Sequence, residues 1–505
     1  MRMKKVLAFL LAGAMALSVA ACGQTNEESK KNESGASAQE SKEEEAKSEE
    51  SKNEEPKEVP TLTWLVPGDS QQDIASVMEK VNEIAVEEIG AKIDIQFIEG
   101  SSFAERMKMN MAAGLDYDLC FTGYCNSYAN AIRNEALLDI TDYIENDPEL
   151  KAALPDYAWE AAEYQGRIYG APNVQGFARE NALVIDKEMA DKYGLNVDEI
   201  TCTEDMESFL AAVKEGNEDD YFIWRTDFGV TMFTSDNWVE TTGYSMVARE
   251  TDGKYTVMPR QEVLEWQEAV QTIHEWYKAG YIRNDVLSAG DDSAEWNAGK
   301  YIVGSISYKP GDEARFQTSW GKEVVIAHIQ EPLMTTSEAL ATLISVGADT
   351  KYPDEAVAFI KLVNTNTEVY NLICYGIEGK HYNLNEEGKV VKVADSGYNP
   401  GANWEFGNTF NALLLEGESE ETAEITKEMN LSAKESPTLG FSFNRTAVET
   451  EYANVNAVVQ EYNYLNTGAV DPEEYMEEFN QKLKDAGQDK IIAEYQRQLD
   501  EFLGQ

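Results

Sequence analysis

Between residues 61 and 122 the apolar residues switch period four times, and this alternation constrains the fold more than any other feature of the chain. Thr61-Leu62-Thr63-Trp64-Leu65-Val66 is a short β-rich run closed by Pro67-Gly68, a turn signal. Asp69 to Gln72 lead into 74–89, where Ile74, Val77, Met78, Val81, Ile84 and Ala85 keep the i, i+3, i+4 spacing of an amphipathic helix. A second strand is predicted at 92–97, a second helix at 103–114, and a third strand at Asp118-Leu119-Cys120-Phe121-Thr122. The order βαβαβ implies a parallel sheet with helices on its faces. In such sheets the binding crevice lies beyond the carboxyl ends of the strands, so the loops 67–72, 123–127 and 170–176 carry the functional expectation.

The first sixty residues have a different character. Arg2, Lys4 and Lys5 give a positive start, and residues 6–21 form an apolar stretch of secretory-signal length that is short for a membrane span. Val19-Ala20-Ala21-Cys22-Gly23 resembles the bacterial lipobox, in which the signal is cut before the cysteine and the thiol receives diacylglycerol. The expectation is a signal peptide at 1–21 and a lipidated Cys22. From Gly23 to Pro60 the chain has no aromatic residue and Val59 is its only large aliphatic. Such a segment buries too little apolar surface to offset its ordering entropy, so 22–60 is expected to be a disordered tether. Random-coil scaling gives it a reach on the order of 35 Å.

Residues 61–505 have ordinary aromatic and aliphatic content, enough for a large core and for two lobes. Of the formal charge of -50, the 12 Glu and 6 Lys of 23–60 supply only -6, so the folded part is itself strongly acidic. Nucleic acid and anionic membrane surfaces are poor partners for that field, which leaves the lipid as the only expected membrane contact. After Cys22 the cysteines are Cys120, Cys125, Cys202 and Cys374. Cys120 and Cys125 are near enough in sequence to bridge, and sequence does not fix whether they do. His274, His328 and His381 lack ligand spacing, and the expectation is no metal and no cofactor.

Several segments carry a family resemblance. Tyr164-Gln165-Gly166-Arg167-Ile168-Tyr169-Gly170-Ala171-Pro172 resembles the "dGkiYaiP" segment of bacterial extracellular solute-binding proteins that serve ABC importers. Leu183-Val184-Ile185-Asp186-Lys187-Glu188 is similar to their "lyyNKe" stretch, with Asp186 where Asn is usual. Ala113-Gly114-Leu115-Asp116-Tyr117-Asp118-Leu119, Ala136-Leu137-Leu138-Asp139-Ile140-Thr141 and Trp296-Asn297-Ala298-Gly299-Lys300 resemble further segments in family order. Tyr375 to Tyr382 and Gly440-Phe441-Ser442-Phe443 resemble a subgroup with a long helical C-terminal extension, often linked to complex oligosaccharides. The resemblance spans 61–505. It implies an α/β, type II periplasmic-binding-protein fold: two lobes that close on ligand and are read by the permease subunits of an importer, with a monomer as the default state. The first lobe is placed at 61–178 and 329–377, and the second at 179–328 and 378–505 with the helical extension. Crossovers are expected near 176–181 and 324–330.

The ligand class rests on nine Trp and 25 Tyr, because sugars stack their C–H faces on aromatic rings while planar polar side chains bind the hydroxyls. Tyr124 and Asn126, with Tyr128 after them, follow the third strand; Asn173 and Gln175 sit beside the first crossover. Trp238, in a polar loop, and Trp404, in the glycine-rich run 399–408, are the expected stacking platforms. Asp69, Gln72, Tyr308 and Glu378 complete the candidate set, Asp69 and Gln72 being equally suited to capping the helix that follows. Trp224, Trp266 and Trp276 read as packing residues.

The expected function is capture of an oligosaccharide for an importer. A peptide receptor is the alternative, since acidic walls also accept cationic peptides. A surface glycosidase would need two facing carboxylates, and nothing in the sequence marks such a pair; no HExxH, nucleophile elbow or phosphate loop is present. No catalytic residue is expected.

Overall fold

A computed structural model describes residues 59–114, 117–218, 220–226, 238–240 and 246–504, with backbone alone at 112 and 238–240. Cys22, the signal segment and the tether lie outside the described residues.

The alternating segment folds as its periods require. The strands Thr61–Pro67, Lys92–Ile98 and Leu119–Gly123 are joined by the helices Ile74–Ile89 and Gly100–Ala113. The first sheet runs, edge to edge, Lys92–Ile98, Thr61–Pro67, Leu119–Gly123, Thr342–Val346 and Gly170–Pro172. Its first three strands are parallel, and Thr342–Val346 is antiparallel to both its neighbours. The register sets Trp64, Leu119 and Val346 in one row, with Phe121, Ile344 and Ala171 in another on the same face. Phe359 and Phe406 meet Trp64 edge-on from above that face, at centroid distances of 5.4 and 5.9 Å.

The second sheet is built on Ala178–Asp186, which pairs with Tyr301–Tyr308 and with Val324–His328 and Leu333–Met334; Phe222–Arg225 and Lys434–Glu435 complete it. Ala182-Leu183-Val184-Ile185 is continuously apolar because this strand is buried on both faces. Leu183 and Ile185 join one core with Trp224 and Trp276, whereas Ala182 and Val184 join another with Trp296, Phe316 and Trp320.

A third apolar cluster lies where the hairpin Met246–Thr251 and Lys254–Pro259 and the helix Leu264–Ala279 meet the C-terminal helices Pro472–Asp485 and Gln488–Leu503. Phe479, Leu483, Ile491, Tyr495 and Leu499 are buried in it, as their helical spacing predicts, while Phe502 stays exposed.

Two boundaries differ from expectation. The segment 324–328 is a strand of the second sheet, so the chain returns to the first sheet later, through 335–341. Residues after 378 do not go wholly with the second sheet: Tyr382, Val390, Tyr398 and Phe406 belong to the core of the first. Their apolar positions are sparse and separated by turns, so no period in the sequence marked which sheet they serve. Cys120, Cys125, Cys202 and Cys374 are all free thiols.

Candidate ligand-binding site

The third strand ends at Gly123, where the chain must turn against its neighbour. Its φ is +142°, and a Cβ there would lie 2.0 Å from the Ala341 carbonyl oxygen, so only glycine fits. The next residue, Tyr124, bonds through its N–H to Ala341 O at 2.9 Å and carries its ring outward, 61% exposed.

Facing Tyr124 is the segment 399–411, which has little regular structure but many anchors. The Tyr370 hydroxyl donates to Asn403 O (2.8 Å), the Thr342 hydroxyl to Trp404 O (3.2 Å) and the Thr409 N–H to Val174 O (2.8 Å). Phe406 is buried between Trp64 and Phe97. A loop fixed this way can present a ring in one place. The half-buried Trp404 sits 5.8 Å from the Tyr124 ring at an interplanar angle of 56°.

Beneath this pair is Glu405, 3% exposed, which receives the Tyr124 hydroxyl on Oε1 at 3.3 Å. Burial pushes its carboxyl up to about 8, and the Tyr124 hydrogen bond opposes that only in part. Burial likewise pushes the neighbouring Cys125 thiol up to about 11.

Gln175 joins the cluster by donating to the Thr342 hydroxyl at 3.0 Å. Asn173 extends the Gly170–Pro172 strand, its N–H donating to Thr342 O at 2.9 Å, so its side chain shares a face with Thr342 and Ile344. That side chain is fully buried. Tyr124, Trp404, Asn173 and Gln175, from three stretches widely spaced in sequence, thus converge around Thr342.

Other candidates go elsewhere. Asn126 donates its side-chain N–H to Phe121 O at 2.9 Å and so closes its own loop. Tyr128 is buried, with its hydroxyl donating to Ala162 O. Asp69 and Gln72 are exposed, and neither caps the helix: Asp73 is the N-cap residue, without a side-chain cap bond. The Asp73 carboxylate instead meets Lys380 Nζ at 2.7 Å and His381 Nε2 at 3.3 Å, and those partners hold it below the usual carboxylate range. Glu378 is exposed in a turn bridged to Tyr382. Tyr308 ends a strand of the second sheet, edge-on to His328 at 4.9 Å. Trp238 begins a short strand paired with Met246–Thr251, and its side chain lies outside the described residues.

Sequence reasoning missed Asn430. Its Oδ1 accepts from Phe177 N (2.7 Å) and Ala178 N (3.2 Å), and its Nδ2 donates to Gln175 O (2.7 Å). The helix Glu420–Ser432 that carries it therefore fastens the segment linking the two sheets. Nearby, Arg179 pairs with Glu338 at 3.2 Å and Asn181 donates to Gln330 at 2.6 Å.

A cavity of about 650 Å³ lies between the other face of the first sheet and helix Gly100–Ala113, lined by Thr63, Leu65, Gln96, Ile98, Arg106 and Asn110 among others; no candidate residue lines it. Among the described residues no group of three His, Cys, Asp or Glu side chains is placed to hold a metal, and no helix is long and apolar enough to cross a membrane.

Comparison with known proteins adds four findings. A family model described as a domain of unknown function (DUF3502) matches residues 437–504. A carbohydrate ABC transporter substrate-binding protein of Streptococcus pneumoniae serotype 4 is 28% identical over 448 residues, covering 86% of this chain and 89% of that protein. The crystal structure of the N-glycan transport solute-binding protein NgtS from Streptococcus pneumoniae superposes with a TM-score of 0.75 at 27% identity, over 88% of this chain and 99% of that one. The same protein in complex with Man5GlcNAc gives 0.61 at the same identity and coverage.

Proposed function

We propose that this chain, which belongs with the substrate-binding proteins of carbohydrate ABC transporters, captures a neutral, mannose-containing oligosaccharide and delivers it to the permease of an importer. The observation that carries this reading is the Tyr124–Trp404 pair, an outward aromatic surface over buried polar side chains at the carboxyl end of a parallel-strand sheet. Rings so placed suit the C–H faces of a sugar, and the polar groups beneath suit its hydroxyls. The glycan named for NgtS supports the choice of mannose.

In this reading each large sheet forms the centre of a lobe, and 173–178, 335–341 and the region of Asn430 form the hinge. Ligand shifts the lobes toward closure only by what it gains in the closed state. This chain superposes better on NgtS without a named glycan, at a TM-score of 0.75, than on NgtS in complex with Man5GlcNAc, at 0.61. The protein acts as a monomer outside the cell, tethered through a lipid on Cys22, and leaves its ligand chemically unchanged.

The test is a thermal-shift screen of the full chain against plant, host and microbial oligosaccharides and a peptide pool. A ligand that binds only the folded state at a hundredfold excess over Kd stabilises it by about 2.7 kcal/mol, enough to separate the cognate class from its isomers. A shift with a mannose-containing glycan, recovered intact, supports the reading. A shift with peptides alone replaces it with peptide transport, and cleavage of the glycan replaces it with hydrolysis.

A further inference from the structure

Two buried polar groups beside the aromatic pair have no partner among the described residues: the Glu405 Oε2 atom and both amide atoms of Asn173. Glu405 follows Trp404, whose carbonyl is held by the Thr342 hydroxyl, and Asn173 is held by the Thr342 carbonyl. Buried polar atoms are rarely left unbonded, and two of them at one strand end ask for a common explanation. Among the described residues, the side chain bonded to Glu405 is Tyr124, the most exposed ring of the cluster. Its ring meets Phe121 at 5.4 Å and Trp404 at 5.8 Å, and exposed side chains change rotamer within nanoseconds, so this cover can turn aside once those contacts are exchanged for ligand.

We propose that Glu405 and Asn173 form a covered subsite that binds two neighbouring hydroxyls of a neutral sugar once Tyr124 turns aside. The inference rests on the oligosaccharide reading above and adds to it the groups that discriminate among sugars. A neutral carboxyl offers one O–H donor and one carbonyl acceptor, and the primary amide offers the same pair with a second N–H. Each sugar hydroxyl both donates and accepts, so two adjacent hydroxyls complete both groups. A sugar lacking one of them would leave a buried group unpaired, which is how polar sites reject close analogues.

The protonation state of Glu405 makes the subsite testable. Its titratable neighbours are the Tyr124 hydroxyl and the Cys125 thiol, both pushed upward by burial and so neutral where Glu405 ionises. The other elements packed against it contribute Thr342, Asn173 and Gln175, none of which titrates. Loss of the Glu405 proton removes the O–H donor and places a charge in the subsite.

The experiment is calorimetric titration of Man5GlcNAc into the full chain and its variants, with a thermal melt of each variant to establish folding. Wild type is expected to bind about tenfold more weakly at about pH 9 than at about pH 6. Glu405→Gln, which keeps a donor and an acceptor, should retain the affinity seen at low pH and lose the pH dependence. Folded Glu405→Ala and Asn173→Ala should each weaken binding about tenfold or more. Unchanged pH dependence in Glu405→Gln, or full affinity in folded Glu405→Ala, overturns the subsite while leaving the transport reading intact. No binding of Man5GlcNAc by wild type overturns the mannose reading and the subsite together.

Discussion

The two large sheets use their aromatic residues in opposite ways. On the second, Trp224 meets Trp276 at 4.8 Å and Trp296 meets Trp320 at 5.0 Å, and all four are at most 8% exposed. Those rings are consumed by packing. On the first, Trp64, Phe359 and Phe406 likewise close a core, but Tyr124 and Trp404 remain at its edge over a buried carboxyl. Aromatic content alone therefore does not locate a sugar site. What distinguishes the first sheet, among the described residues, is a ring left 61% exposed and bonded to a buried carboxyl.

This contrast can be broken by substitution. The largest effect belongs to the packed side: Trp224→Ala should cost about 3–5 kcal/mol in a urea melt, because the cavity it leaves is enclosed on both sides. A loss below about 1 kcal/mol would mean that the second sheet has no such core. Next is the link between the sheets. Asn430→Ala removes three hydrogen bonds to Phe177, Ala178 and Gln175, and stranding those backbone groups should cost about 2–3 kcal/mol by the same melt.

Glu405 should show a smaller effect with a distinctive pH signature. Its folded value, about 8, lies above the usual 4.5, so the folded state holds the proton more tightly than the unfolded one. The stability linked to that proton is complete below the unfolded value and falls as pH rises through the folded value. Glu405→Gln should remove this decline and exceed wild type by roughly 1–3 kcal/mol above about pH 8. Parallel pH–stability curves for the two proteins would sharpen the comparison by showing that Glu405 is already ionised and solvated. Smallest is Trp404→Ala, expected to change stability by about 1 kcal/mol or less because its ring is only half-buried, against the several kcal/mol at Trp224.

Much of the fold was legible because periods survive in sequence. The run 61–122 shows strand and helix spacing without interruption, and the C-terminal helices keep their stripe from Tyr475 to Leu499. The return of 378–415 to the first sheet was not legible, since that stretch holds its place through isolated plugs such as Phe406 and through loop hydrogen bonds. The site divides in the same manner. Tyr124 stood out as a loop aromatic after the third strand, and Trp404 as the aromatic of a glycine-rich run. Glu405 is one of 92 acidic residues, and only its burial distinguishes it. Asn126 and Asn173 have the same residue type in similar loops, yet one closes its turn on Phe121 and the other is enclosed beside Thr342. Backbone geometry decides between those outcomes, and sequence spacing does not encode it.

The measurement that bears most directly on the central claim is titration of Man5GlcNAc into wild type and Trp404→Ala, with a thermal melt of each protein alone. The account predicts saturable binding by wild type and at least about tenfold weaker binding by Trp404→Ala, with nearly coincident melts. Equal binding by the two proteins would contradict it, because the half-buried Trp404 ring would then have no part in holding the sugar.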